Sequence, residues 1–221
     1  MPRARSLNRP DVFGDVKAPC AALAETDRVF AHALDAIGAP HIRRRPGGFE
    51  ALFRIIVEQQ VSVPSAQAIW ARCLSAIDPL TPHSALEAGD AGLRACGLSG
   101  PKARYVLALA AAMTNGAFDP AKLSTMHDEA AIAALQSLKG VGPWSAAIYL
   151  LFCEGRIDIW PPRDVALLGA YCEARRAAGF TRPAVKMDRM DARAARWAPW
   201  RGVAAHILWT YYAHQRGRTP I

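Results

Sequence analysis

Two small groups of residues in this chain have types and spacing that could do chemistry. The first is the turn Gly140-Val141-Gly142 in "QSLKGVGPWSAAIYLL", set between two apolar, helix-like runs. The second is Asp164, which follows a Pro-Pro break 20 residues past Trp144 and opens the run "VALLGAYCEARRAAG". Glycines in such a turn allow backbone angles closed to residues with a Cβ, and they leave room for an anion to come close to the main chain. The turn feeds a helix that begins near Pro143, where orphaned N–H groups and the positive dipole end favour a phosphate. Helix, turn and helix together form a helix-hairpin-helix, a device that grips a nucleic-acid backbone without reading its sequence. An ordinary helix–helix turn with two glycines is the plainer alternative. Asp164, taken by residue type alone, is an N-cap for the apolar run behind it.

The elements that must position these residues are helices. Almost every segment has helical period and none sustains the alternation of a strand, so the expected fold class is all-α. The spacing predicts one helix over "CAALAETDRVFAHALDAIG", ended by Gly38 and Pro40, and then a basic linker, "RRRPGG". "FEALFRIIVEQQVS" reads as an amphipathic helix and "PSAQAIWARCLSAI" as another, with the turn "EQQVSV" between them. Short helices run on to "CGLSG", and "PKARYVLALAAAMTNG" starts on Pro101 and stops at Gly116. Thr125 and Asp128 stand at capping-box spacing ahead of the helix that leads into the hairpin. The last long helix is "PWRGVAAHILWTYYAHQRG". That makes about ten helices with short connections, preceded by a flexible arm over residues 1–19. Trp197, Trp200, Tyr149 and Tyr211 are read as core aromatics, and Arg201 as an internal or DNA-facing ion partner.

With 221 residues the chain can form one sizeable core or two small lobes. Its 52% apolar and 21% charged residues describe a folded protein. The net charge of +8 points to a polyanion, nucleic acid being the usual one, or simply to a basic soluble enzyme. Five cysteines, odd in number and without a C-x-x-C, exclude a disulfide framework and a zinc or iron–sulfur site of recognisable spacing. Buried thiols are the expected state. No apolar run approaches twenty residues, and "MPRARSLNRP" has no apolar stretch behind its charges, so a soluble intracellular protein is expected.

Four stretches run in order from about residue 50 to residue 209: "IIVEQQVSV", "CGLSGPKARYVLALA", "SLKGVGPWSAAIYLL…DIWPPRDVAL" and "WAPWRGVAAHILW". On these the chain resembles the helix-hairpin-helix DNA glycosylase superfamily, most closely the bacterial 3-methyladenine DNA glycosylase II of the AlkA type. The resemblance implies a single domain of two helical lobes around a DNA-binding cleft. Lobe A would cover about 45–153 and lobe B about 20–44 with 154–221, without the β-rich N-terminal lobe of the larger members. It implies a monofunctional glycosylase that hydrolyses the N-glycosidic bond of alkylated purines in base excision repair. Alternatives are a glycosylase for oxidised or deaminated bases, or a non-catalytic helix-hairpin-helix DNA-binding module.

The resemblance places the catalytic carboxylate on Asp164. An anion there would stabilise positive charge developing on the sugar, and could orient or deprotonate the attacking water. Members that also nick DNA carry a lysine two places after the second hairpin glycine; this chain has Trp144, which implies no AP-lyase activity. Lys139, where the family commonly has proline, would contact the DNA backbone with Gly140, Gly142 and Ser145. Gln60 would fill the gap left by an extruded base, a solvated loop glutamine being the other reading. Trp144 and Trp209 would form the base pocket, where stacking is worth roughly 1–3 kcal/mol per base and cation–π attraction favours an alkylated, cationic one. Ile148 replaces another pocket aromatic, which implies a more open pocket. Main-chain carbonyls of Gln136, Leu138 and Val141 would hold a structural Na+ or K+. No cofactor for catalysis and no iron–sulfur cluster are expected. The implied setting is a monomer acting on damaged double-stranded DNA in the bacterial cytoplasm, away from membranes.

Overall fold

The computed structural model describes residues 15–181 and 184–219. In chain order its helices are α1 (Lys17–Thr26), α2 (Arg28–Ile37), α3 (Phe49–Glu58), α4 (Val63–Ala76), α5 (Pro82–Ala95), α6 (Gly100–Thr114), α7 (Asp128–Gln136) and α8 (Pro143–Tyr149). They continue with α9 (Val165–Ala177), α10 (Met187–Ala194) and α11 (Arg201–His214). Short 3-10 turns lie at Pro120–Thr125 and Ala195–Trp197, and α8 runs directly into a π-helical turn at Leu150–Glu154. No strand occurs among the described residues, so the all-α class holds. The described residues fall into two compact units: residues 45–154, and residues 15–44 together with the described residues from Gly155 onward.

In the 45–154 unit, α3 is the central helix. Seven of its ten residues are buried, and the charged ones, Glu50, Arg54 and Glu58, recur at every fourth position in one narrow stripe. A helix with so little polar surface needs neighbours on most sides, and α4, α6 and α8 all pack on it. Phe53 meets Trp70 of α4 edge-on at 5.6 Å. Tyr149, buried at the end of α8, accepts a hydrogen bond from the Gly48 N–H at 2.8 Å, which ties α8 to the start of α3. Burial pushes the Tyr149 hydroxyl up to about 12, so it stays protonated.

In the other unit the core centres on Trp197, ringed by Phe30 at 4.8 Å, Trp160 at 5.4 Å and Tyr171 at 5.5 Å. Such tilted and edge-to-face aromatic contacts add about 0.5–1.5 kcal/mol each beyond their area. Tyr211 and Tyr149 are buried as read from the sequence, and Trp200 is partly buried against this core. Arg201 turns out to be an internal partner within its unit. Its Nε and Nη2 donate to the two oxygens of Asp158 at 2.8 and 2.9 Å, and its N–H also bonds Oδ1.

Three expectations are corrected. The single helix predicted from Cys20 to Gly38 is two, because Asp27 adopts φ −147°, ψ 116° and caps α2 by accepting from the Val29 N–H. A short carboxylate next to the main chain competes with helix continuation. Thr125 does not cap α7; its hydroxyl donates to the Lys122 carbonyl inside a 3-10 turn, and α7 begins after His127 without a side-chain cap. Of the arm expected over 1–19, residues 1–14 lie outside the described residues, while Lys17 to Pro19 already belong to α1. The five cysteines form no disulfide; Cys20, Cys73 and Cys96 are buried, Cys153 and Cys172 half-buried. Burial holds Cys20 at about 11 and Cys73 at about 12, far from a reactive thiolate. No described helix is long and apolar enough to cross a membrane.

Candidate functional site

The hairpin is built by the end of α7 and the start of α8. Leu138 donates its N–H to the Leu135 carbonyl and Val141 donates to the Leu138 carbonyl, each at 3.1 Å, which closes the turn. The Leu138 and Val141 side chains are buried and anchor it. Gly140 has φ +87°, and a Cβ there would run into the Tyr105 ring of α6. Glycine is therefore required twice over at this position. Gly142 is different: at φ −87°, ψ 179° its backbone is open to any residue. The expectation that the turn's angles demand both glycines thus fails at Gly142. A Cβ on Gly142 would meet nothing within 4 Å, so its surface is open to whatever approaches the first turn of α8.

The hairpin lines a concavity of 770 Å³ that also includes Gln59, Gln60, Lys102 and Tyr105. Lys139 is exposed at its rim, and Gln60 is exposed in the α3–α4 turn. Gln60 sits at φ +53°, a left-handed conformation uncommon for a residue with a side chain. Two neighbours hold it there. Lys102, in the first turn of α6, donates to the Val57 carbonyl at 2.8 Å and the Gln59 carbonyl at 2.6 Å, satisfying the end of α3. Burial depresses the Lys102 ammonium below its ordinary value. Gln59 in turn donates through Nε2 to the Gly140 carbonyl at 2.9 Å and to Ser145 Oγ at 3.0 Å. The hydroxyl of Ser145 is thus buried and used internally, so its main-chain N–H in the first turn of α8 is what could serve an outside anion. Trp144 is half-buried in that same turn, and Ile148 one turn on is buried.

The carboxylate belongs to the other unit. Asp164 is half-buried and its Oδ1 accepts from the Leu167 N–H at 2.9 Å, so it is the N-cap of α9. The residue before it, Arg163, has φ +58°. The Arg163 N–H donates to Asp191 of α10 at 3.3 Å, and Asp191 also accepts from Trp160 Nε1 at 3.0 Å. Trp209 is half-buried on α11, which packs on α9. Its ring lies 5.7 Å from that of His206. Burial, and then the nearby charges of His41 and Arg43, push His206 down to about 3, so Trp209 rests against a neutral imidazole.

Residue types and spacing missed Gln59, Lys102, Tyr105 and Asp191. The doubled glutamine in "EQQVSV" was the visible hint for the first; the others act across helices that no short spacing links. Among the described residues no group of three His, Cys, Asp or Glu could hold a metal ion.

Comparison with known proteins bears on the whole arrangement. Over 185 residues the chain is 26% identical to the alkylbase DNA glycosidase-like protein mag2 of Schizosaccharomyces pombe, covering 81% of this chain and 84% of that protein. Over 181 residues it is 30% identical to DNA-3-methyladenine glycosylase 2 of Escherichia coli, covering 75% of this chain and 59% of that protein. A DNA-3-methyladenine glycosidase structure from Bacillus halodurans superposes with a TM-score of 0.76 at 25% identity, over 91% of this chain and 93% of that one. The Schizosaccharomyces pombe 3-methyladenine DNA glycosylase Mag1, in complex with abasic DNA, shares the fold with a TM-score of 0.78 at 24% identity, over 87% of this chain and 95% of that one. The model of HhH-GPD superfamily base excision DNA repair proteins matches residues 53–198. With that match spanning both the hairpin and Asp164, the chain belongs to the HhH-GPD superfamily of base excision DNA repair proteins.

Proposed function

We propose that the protein is a monofunctional DNA glycosylase that removes alkylated purines, of the 3-methyladenine type, from double-stranded DNA. The observation that carries the reading is Asp164, a half-buried carboxylate fixed by its own cap bond to Leu167 N–H, in a family whose matched relatives are named for this activity. As the N-glycosidic bond breaks, positive charge grows on the deoxyribose, and a fixed anion lowers the energy of that state more than of the ground state. The same carboxylate can orient or deprotonate the attacking water. Trp144 stands where nicking members have lysine, so no Schiff base forms and the product is an abasic site.

The hairpin takes the phosphate backbone through main-chain N–H groups at the start of α8, with Lys139 adding charge at the rim and the open face of Gly142 permitting close approach. Gln60 fills the space of the extruded base, and Trp144 and Trp209 stack on the base itself. The Gln136, Leu138 and Val141 carbonyls suit a hard monovalent cation. The Leu138 oxygen already accepts from Val141 N–H, which leaves one lone pair for an ion. Such an ion would brace the turn and take no part in bond cleavage. The enzyme works as a monomer in the cytoplasm.

The test is chromatography of bases liberated from methylated duplex DNA. The parent protein should release 3-methyladenine. Asp164→Asn, which keeps a good cap, should lose at least about a hundredfold in release, of the order that removal of one electrostatic group causes, while still binding duplex. Release at the parental rate by this variant would sink the assignment.

A further inference from the structure

We propose that α10, the last turn of α9 and the start of α2 form a second nucleic-acid surface, which takes the phosphodiester backbone of a strand on arginine side chains. Four guanidinium groups, Arg28, Arg175, Arg193 and Arg196, line a pocket of 390 Å³. Arg28 and Arg175 lie over the same Phe180 ring, 5.6 and 5.1 Å from its centre. The pocket's single carboxylate is already engaged: Asp27 accepts from Val29 N–H at 3.1 Å and from the Tyr171 hydroxyl at 2.8 Å. That hydroxyl also accepts from Arg193 at 3.1 Å, which fixes one guanidinium at the pocket wall. Guanidinium groups gathered in one pocket favour an anion between them.

A second concavity of 470 Å³ adjoins the first and shares Arg193 and Arg196 with it, adding Lys186 and Arg189. Lys186, Arg189, Arg193 and Arg196 are spaced three, four and three residues apart, which places them on one helix face. The neighbouring face, about 100° round the helix, buries Met190, Ala194 and Trp197, and Lys186, Arg189 and Arg196 are exposed. Asp188 lies 4.0 Å from Arg189 with both side chains largely exposed, a weak pair. The stripe is about 15 Å long, enough to track roughly four phosphates of a strand at ~3.4 Å of axis per charge. A free phosphate or nucleotide could occupy one concavity; six cations spread over both suit a polymer. Arg175 lies eleven residues beyond Asp164, roughly 16 Å along α9, so this end of the surface is separate from the carboxylate.

The experiment measures anisotropy of a labelled, undamaged duplex over a series of NaCl concentrations, a readout independent of base release and therefore of the glycosylase reading. The double variant Arg189→Ser/Arg196→Ser should keep the parental melting temperature and lower the slope of log affinity against log salt by about 2, at roughly 0.9 per lost phosphate contact. Arg189→Lys/Arg196→Lys should restore the slope. An unchanged slope in the serine variant overturns the proposal. Saturable binding of dAMP that excess duplex fails to compete away overturns it as well, and assigns the pocket to a free nucleotide.

Discussion

Lys102→Met isolates the contact between α6 and the end of the hairpin unit's central helix, α3, where the turn carrying Gln60 begins. The substitution keeps the length of the side chain and removes two donors, those to the Val57 and Gln59 carbonyls at 2.8 and 2.6 Å. Charge-assisted hydrogen bonds contribute about 1.5–3 kcal/mol each. Here the ammonium is only half-buried, and its lowered proton affinity records a desolvation cost that offsets part of the gain. Water can also reach the vacated carbonyls, so the net loss should be about 2 kcal/mol in all, the low end of that range. For a chain of this size that lowers the melting temperature by about 4–8 °C. The functional effect follows from Gln60, whose left-handed backbone costs about 1–2 kcal/mol. Without Lys102 the turn can relax, and in its proposed role Gln60 then has to be reordered each time it fills the gap of an extruded base. That predicts roughly a tenfold slower single-turnover release of 3-methyladenine from duplex, and a much smaller effect on single-stranded substrate, where no gap needs filling. Lys102→Arg should recover most of the stability. The reasoning fails if Lys102→Met melts with the parent, or if it slows duplex and single-stranded substrates equally.

Gly140→Ala should cost about 2–4 kcal/mol, combining a strained φ with a displaced Tyr105, whereas Gly142→Ala should leave the melting temperature within about a degree and weaken duplex binding. Thermal melts with duplex titrations separate the two, and equal destabilisation would refute the distinction. His206 takes no proton in the folded state until about 3, whereas in the unfolded chain it titrates near its ordinary value of 6.5. Between those limits the unfolded state binds the extra proton, so stability falls as pH falls through that window, by up to ~1.4 kcal/mol per pH unit. His206→Leu should flatten that part of the melting profile, and an unchanged profile would count against a neutral buried imidazole. Asp191→Ala should reduce single-turnover release with little change in duplex affinity, since Asp191 holds the backbone ahead of Asp164; a loss of affinity alone would show that it acts elsewhere.

The all-α class was legible because helical period needs only local sequence. So was the core role of Trp197, Tyr149 and Tyr211, because large aromatics at helical spacing have few other places to go. The break at Asp27 was not, since whether a carboxylate inside an apolar pattern stays helical depends on partners such as Tyr171, 144 residues away. In the hairpin, Gly140 could be read from turn geometry, but the Tyr105 ring that enforces it lies on another helix. Gly142 misled for the opposite reason: a residue type that commonly signals strain is here in an ordinary extended conformation. Ser145 was expected at the DNA backbone, and only the folded unit reveals that its hydroxyl is buried and accepts from Gln59.

At Asp164 the observed cap and the proposed reactive carboxylate need not compete. A cap bond uses Oδ1 and sets the rotation of the carboxylate about its own backbone. That bond is useful to chemistry only if the backbone itself is fixed, and the chain here arrives through Arg163 at φ +58°. A residue with a side chain does not stay in that region unless its surroundings hold it. Asp191 does so by accepting the Arg163 N–H, while Trp160 Nε1 holds Asp191 in turn. Trp160 packs against Trp197, so the orientation of Asp164 is referred step by step to the rigid centre of its unit. A solvent-exposed helix cap requires none of this support, since loss of a cap alone costs about 1 kcal/mol. The strain at Arg163 and the two bonds that hold it make sense when the position of the carboxylate, and not merely the start of α9, is what must be preserved.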